Sequence, residues 1–363
     1  MIHLEVFVKV KNEDVKIMNK KTIIENDKTF IIAEAGVNHN GSLETAKKLI
    51  DAAVDADVDA VKFQTFSADR LVTKNAPKAD YQNKTTDKNE SQYDMLKKLE
   101  LTYEEHKILK KYCQENDILF MSTPFDFESV DLLEKLGVEI YKVGSSDTNN
   151  LPLLKYIAEK DKPIILSTGM STLTEVSEAV DTISSTGNND LSLLHCVSNY
   201  PAQYENVNLN AMNTMKTAFD LEVGYSDHTP GIEVPIAVVA MGAKVIEKHF
   251  TLDKDMEGPD HKASLNPEEL KKMVKAIRNI EVALGSSTKK PAPNEKENLK
   301  TVRKSLVINK NKEIGEQIFS EDIDIKRPGT GIAPKYKDII IGMELVKKVK
   351  EDQILTWEAF QVE

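Results

Sequence analysis

Between residue 29 and about residue 284, short apolar runs rich in β-branched residues alternate with longer stretches whose apolar positions recur every three to four residues. The short runs are TFIIAEAG, DAVKFQTF, ILFMSTPF, IYKVGSS, PIILSTG, LSLLHCVS, LEVGYSD and KVIEKHF. Because they are apolar almost throughout, they predict strands buried on both faces, as in a parallel sheet. The stretches between them, including LETAKKLIDAAVDA, YEEHKILKKYCQEN, LTEVSEAVDTISS and NPEELKKMVKAIRNIEVALG, predict amphipathic helices. Eight such units in about 255 residues fit a (β/α)8 TIM barrel better than an open doubly wound sheet. No strand is followed by a GxGxxG turn, which removes the main reason to prefer a dinucleotide-binding sheet.

The pattern changes on either side of this region. Leu4, Val6, Val8 and Val10 alternate within residues 1–20, so this extension reads either as an added edge strand or as sequence upstream of a start at Met18. Residues 21–285 form the expected barrel. The polar, proline-bearing run SSTKKPAPNEKENLK makes residues 286–302 a linker, with room for a short helix before Arg303. Residues 303–363, with short apolar runs broken by turns, predict a small, mostly β module. Within the barrel, the segment from Ser67 to Leu101 is long for a loop of this class, as lids and interface arms are.

Composition narrows the partners. The chain has 363 residues and a formal net charge of −11, which argues against nucleic acid or an anionic membrane. An acidic protein that takes an anionic substrate must concentrate its cations locally. No apolar run approaches the roughly twenty residues needed to span a bilayer. Two cysteines, Cys113 and Cys196, have no metal-type spacing and fit buried thiols in a reducing, cytoplasmic compartment.

In a barrel of this class chemistry lies at the C-terminal ends of the strands. Those ends carry Glu34, Lys62, Gln64, Ser122, Thr123, Lys142, Ser145, Ser167, Ser198, Asn199, Ser226, Asp227, His228, Glu247 and His249. Burying so many polar groups near one face is costly without a function. His228 and His249 end consecutive strands, which lie about 4.8 Å apart in a sheet, so their imidazoles can share one divalent metal and leave positions open. His39 in GVNHNG and His195 read as structural, His3 and His106 as surface residues. Lys62 and Lys142, beside Ser145, Ser167 and Ser226, form a candidate phosphate or carboxylate pocket. Salt bridges to Glu34 or Asp227 are the competing explanation for a lysine there. Glu34 could orient a water, move a proton or bind hydroxyls. The residues alone thus point to a metal-assisted barrel enzyme acting on a small anion.

IIAEAGVNHNG, VKFQTF, STPFD, YKVGSSD, LSTGM, GYSDHT, EKHFTLDK and GPDHKASL together resemble the N-acetylneuraminate (sialic acid) synthase family, which includes legionaminic and pseudaminic acid synthases. The likeness runs from about Thr29 to Phe360, and RPGTGI falls where that family has its C-terminal antifreeze-like (SAF) domain. It implies condensation of phosphoenolpyruvate with N-acetylmannosamine or a related acetamido-mannose aldehyde, giving phosphate and a nine-carbon 2-ulosonic acid. It further implies a divalent metal, usually Mn²⁺ with Mg²⁺ or Co²⁺ possible, on His228 and His249 as the Lewis acid. Lys62 and Thr123 would hold the substrate carboxylate, and Lys142, Ser145, Ser167 and Ser226 its phosphate. Many sialic acid synthases have asparagine where this chain has Ser198, so Ser198 or Asn199 takes that phosphate contact. Glu34, Gln64, Tyr200, Asp260 and Arg327 would face the open-chain sugar, with Arg327 reaching in from the partner of a domain-swapped homodimer. GPDH favours sialic or legionaminic over pseudaminic acid synthesis, without choosing between N-acetylmannosamine and a 2,4-diacetamido-trideoxymannose. Two other readings compete: an aldolase using Lys142 as a Schiff base, and a non-enzymatic sugar- or ice-binding protein built on the C-terminal module.

Overall fold

The computed structural model describes residues 28–79, 82–87 and 89–360. The chain divides between Gly285 and Ser286 into two compact units. The first holds eight strands: β1 Phe30–Gly36, β2 Ala60–Thr65, β3 Leu119–Pro124, β4 Tyr141–Val143, β5 Ile164–Ser167, β6 Leu191–Cys196, β7 Glu222–Asp227 and β8 Val245–His249. All neighbouring pairs are parallel, and β1 lies between β2 and β8, so the first strand meets the last. Packing of β3 against β4 closes the sheet into a TIM-type barrel.

Strand alternation sorts the apolar residues into two layers. Ile32, Ala60, Met121, Ile140, Ile165, Leu194 and Val245 fill the barrel interior as one cluster. Their chain neighbours, among them Ile31, Val61, Phe120, Leu166, Leu193 and Ile246, join the cluster between sheet and helices. Two residues beyond six of these seven, the same inward face turns polar, while Leu194 is followed by the thiol of Cys196. Ile32 is followed on its face by Glu34, Ala60 by Lys62, Met121 by Thr123, Ile140 by Lys142, Ile165 by Ser167 and Val245 by Glu247. The barrel is thus plugged below and polar at its mouth.

Side-chain caps set where several helices begin. Thr102, Thr172 and Asn266 cap helices Tyr103–Glu115, Leu173–Ser184 and Pro267–Leu284 in reciprocal boxes with Glu105, Glu175 and Glu269. The long segment after β2 contains three short helices, Ala68–Leu71, Gln82–Thr85 and Gln92–Lys97. Its Met95 and Leu99 pack with Val37 and Phe66 in an apolar cluster of their own. Both cysteines are buried free thiols. Among the described residues, no helix is long and apolar enough to cross a membrane.

The second unit begins with a polar stretch, the short helix Glu295–Val302, and then pairs β9 Ser305–Ile308 antiparallel with β10 Ile323–Lys326. Leu306, Ile308, Ile318, Ile332, Ile340, Leu345, Leu355 and Phe360 form its small core. The loop Arg327–Ile332 is pinned along its backbone. The Ser305 hydroxyl donates to the Pro328 carbonyl at 2.7 Å and accepts from the Gly331 amide at 2.9 Å. The Arg327 side chain is exposed and, among the described residues, makes no ion pair within its own unit.

One buried charge pair ties β7 to β8. Lys248 Nζ lies 2.5 Å from Asp227 Oδ2, both side chains have no solvent exposure, and Thr229 also donates to Asp227. Removing one partner of such a pair leaves the other charge buried and alone. Lys248→Met is therefore expected to lower unfolding free energy by about 3–5 kcal/mol. Equilibrium urea unfolding checks this, and a midpoint equal to the parent's would contradict it.

Candidate active site

The polar mouth is built around one carboxylate. Glu247 on β8 lies 3.6 Å from Lys62 Nζ on β2 and 3.5 Å from Lys142 Nζ on β4, and it accepts a hydrogen bond from Ser226 on β7 at 3.0 Å. Lys62 also pairs with Glu34 on β1 at 2.6 Å and donates to Thr123 on β3 at 3.0 Å. Lys142 donates to Ser167 on β5 at 2.7 Å. Glu34, Lys62, Thr123, Lys142, Ser167, Ser226 and Glu247 are all buried. Seven strands thus converge on one charged cluster.

Its protonation follows from that packing. For Glu247, burial works against ionisation, but Lys142 and Lys62 overcome it and hold the carboxyl at about 2. For Glu34, burial dominates and lifts the carboxyl to about 7, with Lys62 opposing the shift and Glu247 adding to it. Burial also lowers Lys142. In Lys62 the two carboxylates outweigh the burial that opposes them, so its ammonium is favoured. Two ammonium groups therefore face one firmly ionised carboxylate and one that gains a proton near neutrality. The balance is cationic, which suits an anion.

Hydroxyls extend the cluster. Ser145 begins the turn after β4, and its Oγ accepts from the Gly169 amide at 2.9 Å. A Cβ at Gly169 would collide with the hydroxyls of both Ser198 and Ser145, so the bare glycine lets them approach one another. Ser198 is half-buried beside Cys196, whereas Asn199 is exposed. Ser198, not Asn199, joins the other hydroxyls.

The two histidines stand next to this cluster. His228, just past β7, and His249, ending β8, have ring centroids 5.4 Å apart, and the Tyr200 ring lies 4.1 Å from the first and 5.6 Å from the second. His228 Nδ1 donates to the Val197 carbonyl at 2.8 Å, which leaves its Nε2 as the nitrogen open to a ligand. His249 Nδ1 is buried and, among the described residues, has no partner, and burial together with His228 keeps the ring neutral. Burial opposes a charge on His228, but Cys196 and the Val197 carbonyl outweigh it and favour its protonated ring, so a divalent ion would displace a proton from His228 to use the two imidazoles as a donor pair. Among the described residues, no third His, Cys, Asp or Glu completes a metal-binding group with them. Asp260 is buried, which raises its carboxyl to about 6 against the opposing influence of His228. Gln64 Nε2 donates to Glu34 at 3.3 Å.

The expectations for His106 and for an Asp227 salt bridge at the mouth need correction, whereas His195 and His39 are structural as expected. His106 is not a surface residue: it is fully buried on the outer side of the barrel, bonded to Thr65 Oγ1 at 2.8 Å and to the Thr102 carbonyl at 2.9 Å. Ser122 and Asp227 are strand-end residues that turn outward, Ser122 to Thr65 and Asp227 to Lys248, so Asp227 pairs with neither mouth lysine. His195 donates to or accepts from nothing at the mouth and instead meets the Val207 carbonyl at 2.8 Å. His39 is fully buried beside Phe63. His3 lies outside the described residues. The role of Glu247 was missed, although its place two residues before His249, and therefore on the same face, was visible in VIEKH.

Comparison with known proteins gives this geometry a context. Residues 49–289 match the NeuB family, and residues 303–361 match the SAF domain. The chain belongs to the NeuB family. It is 51% identical to an N,N'-diacetyllegionaminic acid synthase of Campylobacter jejuni, over 90% of this chain and 99% of that protein. A synthase of the same name from Legionella pneumophila is 50% identical over 91% of this chain and 94% of its own length. Among solved structures, an N-acetylneuraminic acid synthetase from Leptospira borgpetersenii, in complex with citrate, is 37% identical with a TM-score of 0.66, covering 75% of this chain and 90% of its own. These NeuB-family relatives are synthases, so the chain is an enzyme of transferase type.

The lysine and hydroxyl cluster of this NeuB protein makes a specific demand on anions. Lys142→Ala is expected to weaken binding of inorganic phosphate about tenfold or more, and Asn199→Ala to change it less than about twofold. Titration calorimetry with phosphate checks both. Equal losses in the two variants would place the anion elsewhere.

Proposed function

We propose that the chain condenses phosphoenolpyruvate with a 2,4-diacetamido-2,4,6-trideoxymannose aldehyde to give N,N'-diacetyllegionaminic acid and phosphate. The observation that carries the anionic half is the pair of buried lysines, Lys62 and Lys142, sharing Glu247 in an otherwise acidic protein. The sugar follows from the two legionaminic acid synthases at half identity, against 37% for the neuraminic acid synthetase, so the diacetamido sugar is preferred here to N-acetylmannosamine.

In this reading Lys62 and Thr123 hold the phosphoenolpyruvate carboxylate, while Lys142, Ser145, Ser167, Ser198 and Ser226 hold its phosphate. His228 and His249 would hold a divalent ion, Mn²⁺ being our preference, which when bound would supply Lewis-acid activation of the aldehyde. The C3 carbon of phosphoenolpyruvate forms the new bond to the aldehyde carbon, and the aldehyde oxygen takes a proton. Water adds at C2, and the C2–O bond to phosphate breaks. Glu34, poised near neutrality, can hold or deliver a proton at the aldehyde oxygen and offset positive charge growing at C2. The lysines are fixed before substrate arrives, so little reorganisation is needed as charge shifts. A Schiff base on Lys142 is disfavoured because its ammonium is already engaged by Ser167 and Glu247.

Phosphate release with each aldehyde tests the assignment. The diacetamido sugar is expected to give at least about tenfold higher kcat/KM than N-acetylmannosamine, with activity lost on chelation and restored by Mn²⁺. A preference for N-acetylmannosamine would move the chain to the neuraminic acid branch, and full activity after exhaustive chelation would remove the metal.

We further propose that Arg327 closes the sugar pocket of the partner in a domain-swapped homodimer. Its pinned loop and its exposed guanidinium, without an ion pair among the described residues of its own unit, support this. Co-expressed Glu34→Gln and Arg327→Ala chains are expected to recover about a quarter of all sites under random pairing, since one site of each mixed dimer is intact. Absence of rescue with mixed dimers present would sink the exchange.

A further inference from the structure

The carboxylate of Asp260 is buried, yet among the described residues it has no hydrogen-bond or ion-pair partner. A side chain left free for a ligand must be aimed by its backbone. That backbone belongs to the loop after β8, and two asparagines from the loop after β1 hold it in place. Asn38 Nδ2 donates to the Phe250 carbonyl at 2.8 Å and to Ser264 Oγ at 2.9 Å, and Ser264 Oγ donates in turn to the Asp260 carbonyl at 2.7 Å. Asn40 Nδ2 donates to the Glu257 carbonyl at 2.9 Å, which leaves its Oδ1 as the acceptor facing the next residue, His261.

His261 is fully buried between two partners. Its Nε2 lies 3.2 Å from Asn40 Oδ1, and its Nδ1 lies 2.6 Å from Thr251 Oγ1. Because Asn40 offers only an acceptor, Nε2 carries the proton, and Nδ1 takes the Thr251 hydroxyl proton at 2.6 Å in preference to the Asp253 carbonyl, 3.1 Å from the same oxygen. The imidazole therefore acts as a neutral strut between the loop after β1 and the start of the loop after β8. Gly258 makes room for it. At a φ of +152°, a Cβ there would come within 2.6 Å of His261 Cδ2 and 2.9 Å of Asn40 Oδ1. Three separate contacts thus converge on the two residues Asp260 and His261.

We propose that His261, braced by Asn40 and Thr251, is a positioning residue that fixes Asp260 for the sugar aldehyde. The proposal rests on the reading of Asp260 as a sugar contact. A strut of this kind bears on the sugar and not on the anion, because the lysine and serine cluster is carried by strand ends outside these two loops. Loss of one buried, fully paired imidazole is expected to raise the sugar KM about tenfold and leave the phosphoenolpyruvate KM within about twofold.

Steady-state kinetics of His261→Phe, His261→Gln, Asn40→Ala and Asp260→Asn test this with the metal-loaded enzyme. His261→Phe should show the sugar-only rise, and Asn40→Ala a smaller one of the same kind. His261→Gln, which can still donate and accept, should recover part of the loss. Should His261→Phe fail to fold by circular dichroism, Asn40→Ala carries the test, since Asn40 is at the surface. Equal rises for both substrates, or none with Asp260→Asn still impaired for sugar, would overturn the strut. An Asp260→Asn enzyme with an unchanged sugar KM would overturn the site reading beneath it, and the strut with it.

Discussion

Two lysine ammonium groups sit at the mouth of a barrel with almost no access to water, and a single carboxylate, Glu247, lies within 3.6 Å of both. Holding an ammonium out of water costs several kcal/mol unless charge and hydrogen bonds offset it. Everything around Glu247 serves that end. Ser226 donates to it, Thr123 and Ser167 accept from the lysines, and Glu34 completes the shell of Lys62. The compensation is deliberately incomplete in charge: Glu34, buried against Glu247, does not stay fully ionised at neutral pH. A chain with a formal charge of −11 can in this way offer a small anion a locally cationic pocket.

How this cluster forms is a consequence of strand periodicity. The inward face of most strands carries an apolar residue and then, two positions on, a polar one. The apolar layer excludes water beneath the charges, which strengthens their mutual interaction. The polar layer cannot move independently, because each member stands on a strand held by a hydrogen-bond ladder to at least one neighbour. The closure of β1 on β8 matters most here, since it brings Glu34 and Lys62 from one end of the barrel sequence beside Glu247 and His249 from the other.

Much of this is legible in the sequence. Alternating apolar runs and helical periods specify the barrel, and the strand ends name nearly every residue of the cluster. The failures are also physical. A strand end alternates in direction, so Ser122 and Asp227 sit among functional residues in sequence yet face the helices, where Thr65 and Lys248 receive them. His106 looks like one more polar position on an amphipathic helix, but its ring reaches a hydroxyl on the back of the sheet, a contact between segments 41 residues apart. Glu247 is visible as a strand-end residue, but not its role, because its partners come from β2 and β4. Tertiary partners, unlike periodicity, leave no local trace.

The site also divides by what supports it. The residues assigned to phosphoenolpyruvate stand on strand ends or within the first few residues past them, and the barrel lattice fixes them. Those assigned to the sugar are carried differently. Only Glu34 and Gln64 stand on strands, while Tyr200 and Asp260 lie in loops and Arg327 in the second unit. Loops tolerate change that a close-packed barrel does not. A fold built this way can keep one anionic substrate while altering the aldehyde it accepts, because the two proposed recognitions share the edge at His228 and His249 and little else. The braces on the loop after β8 then have a clear purpose: where specificity is placed on a loop, something other than the sheet has to make that loop rigid.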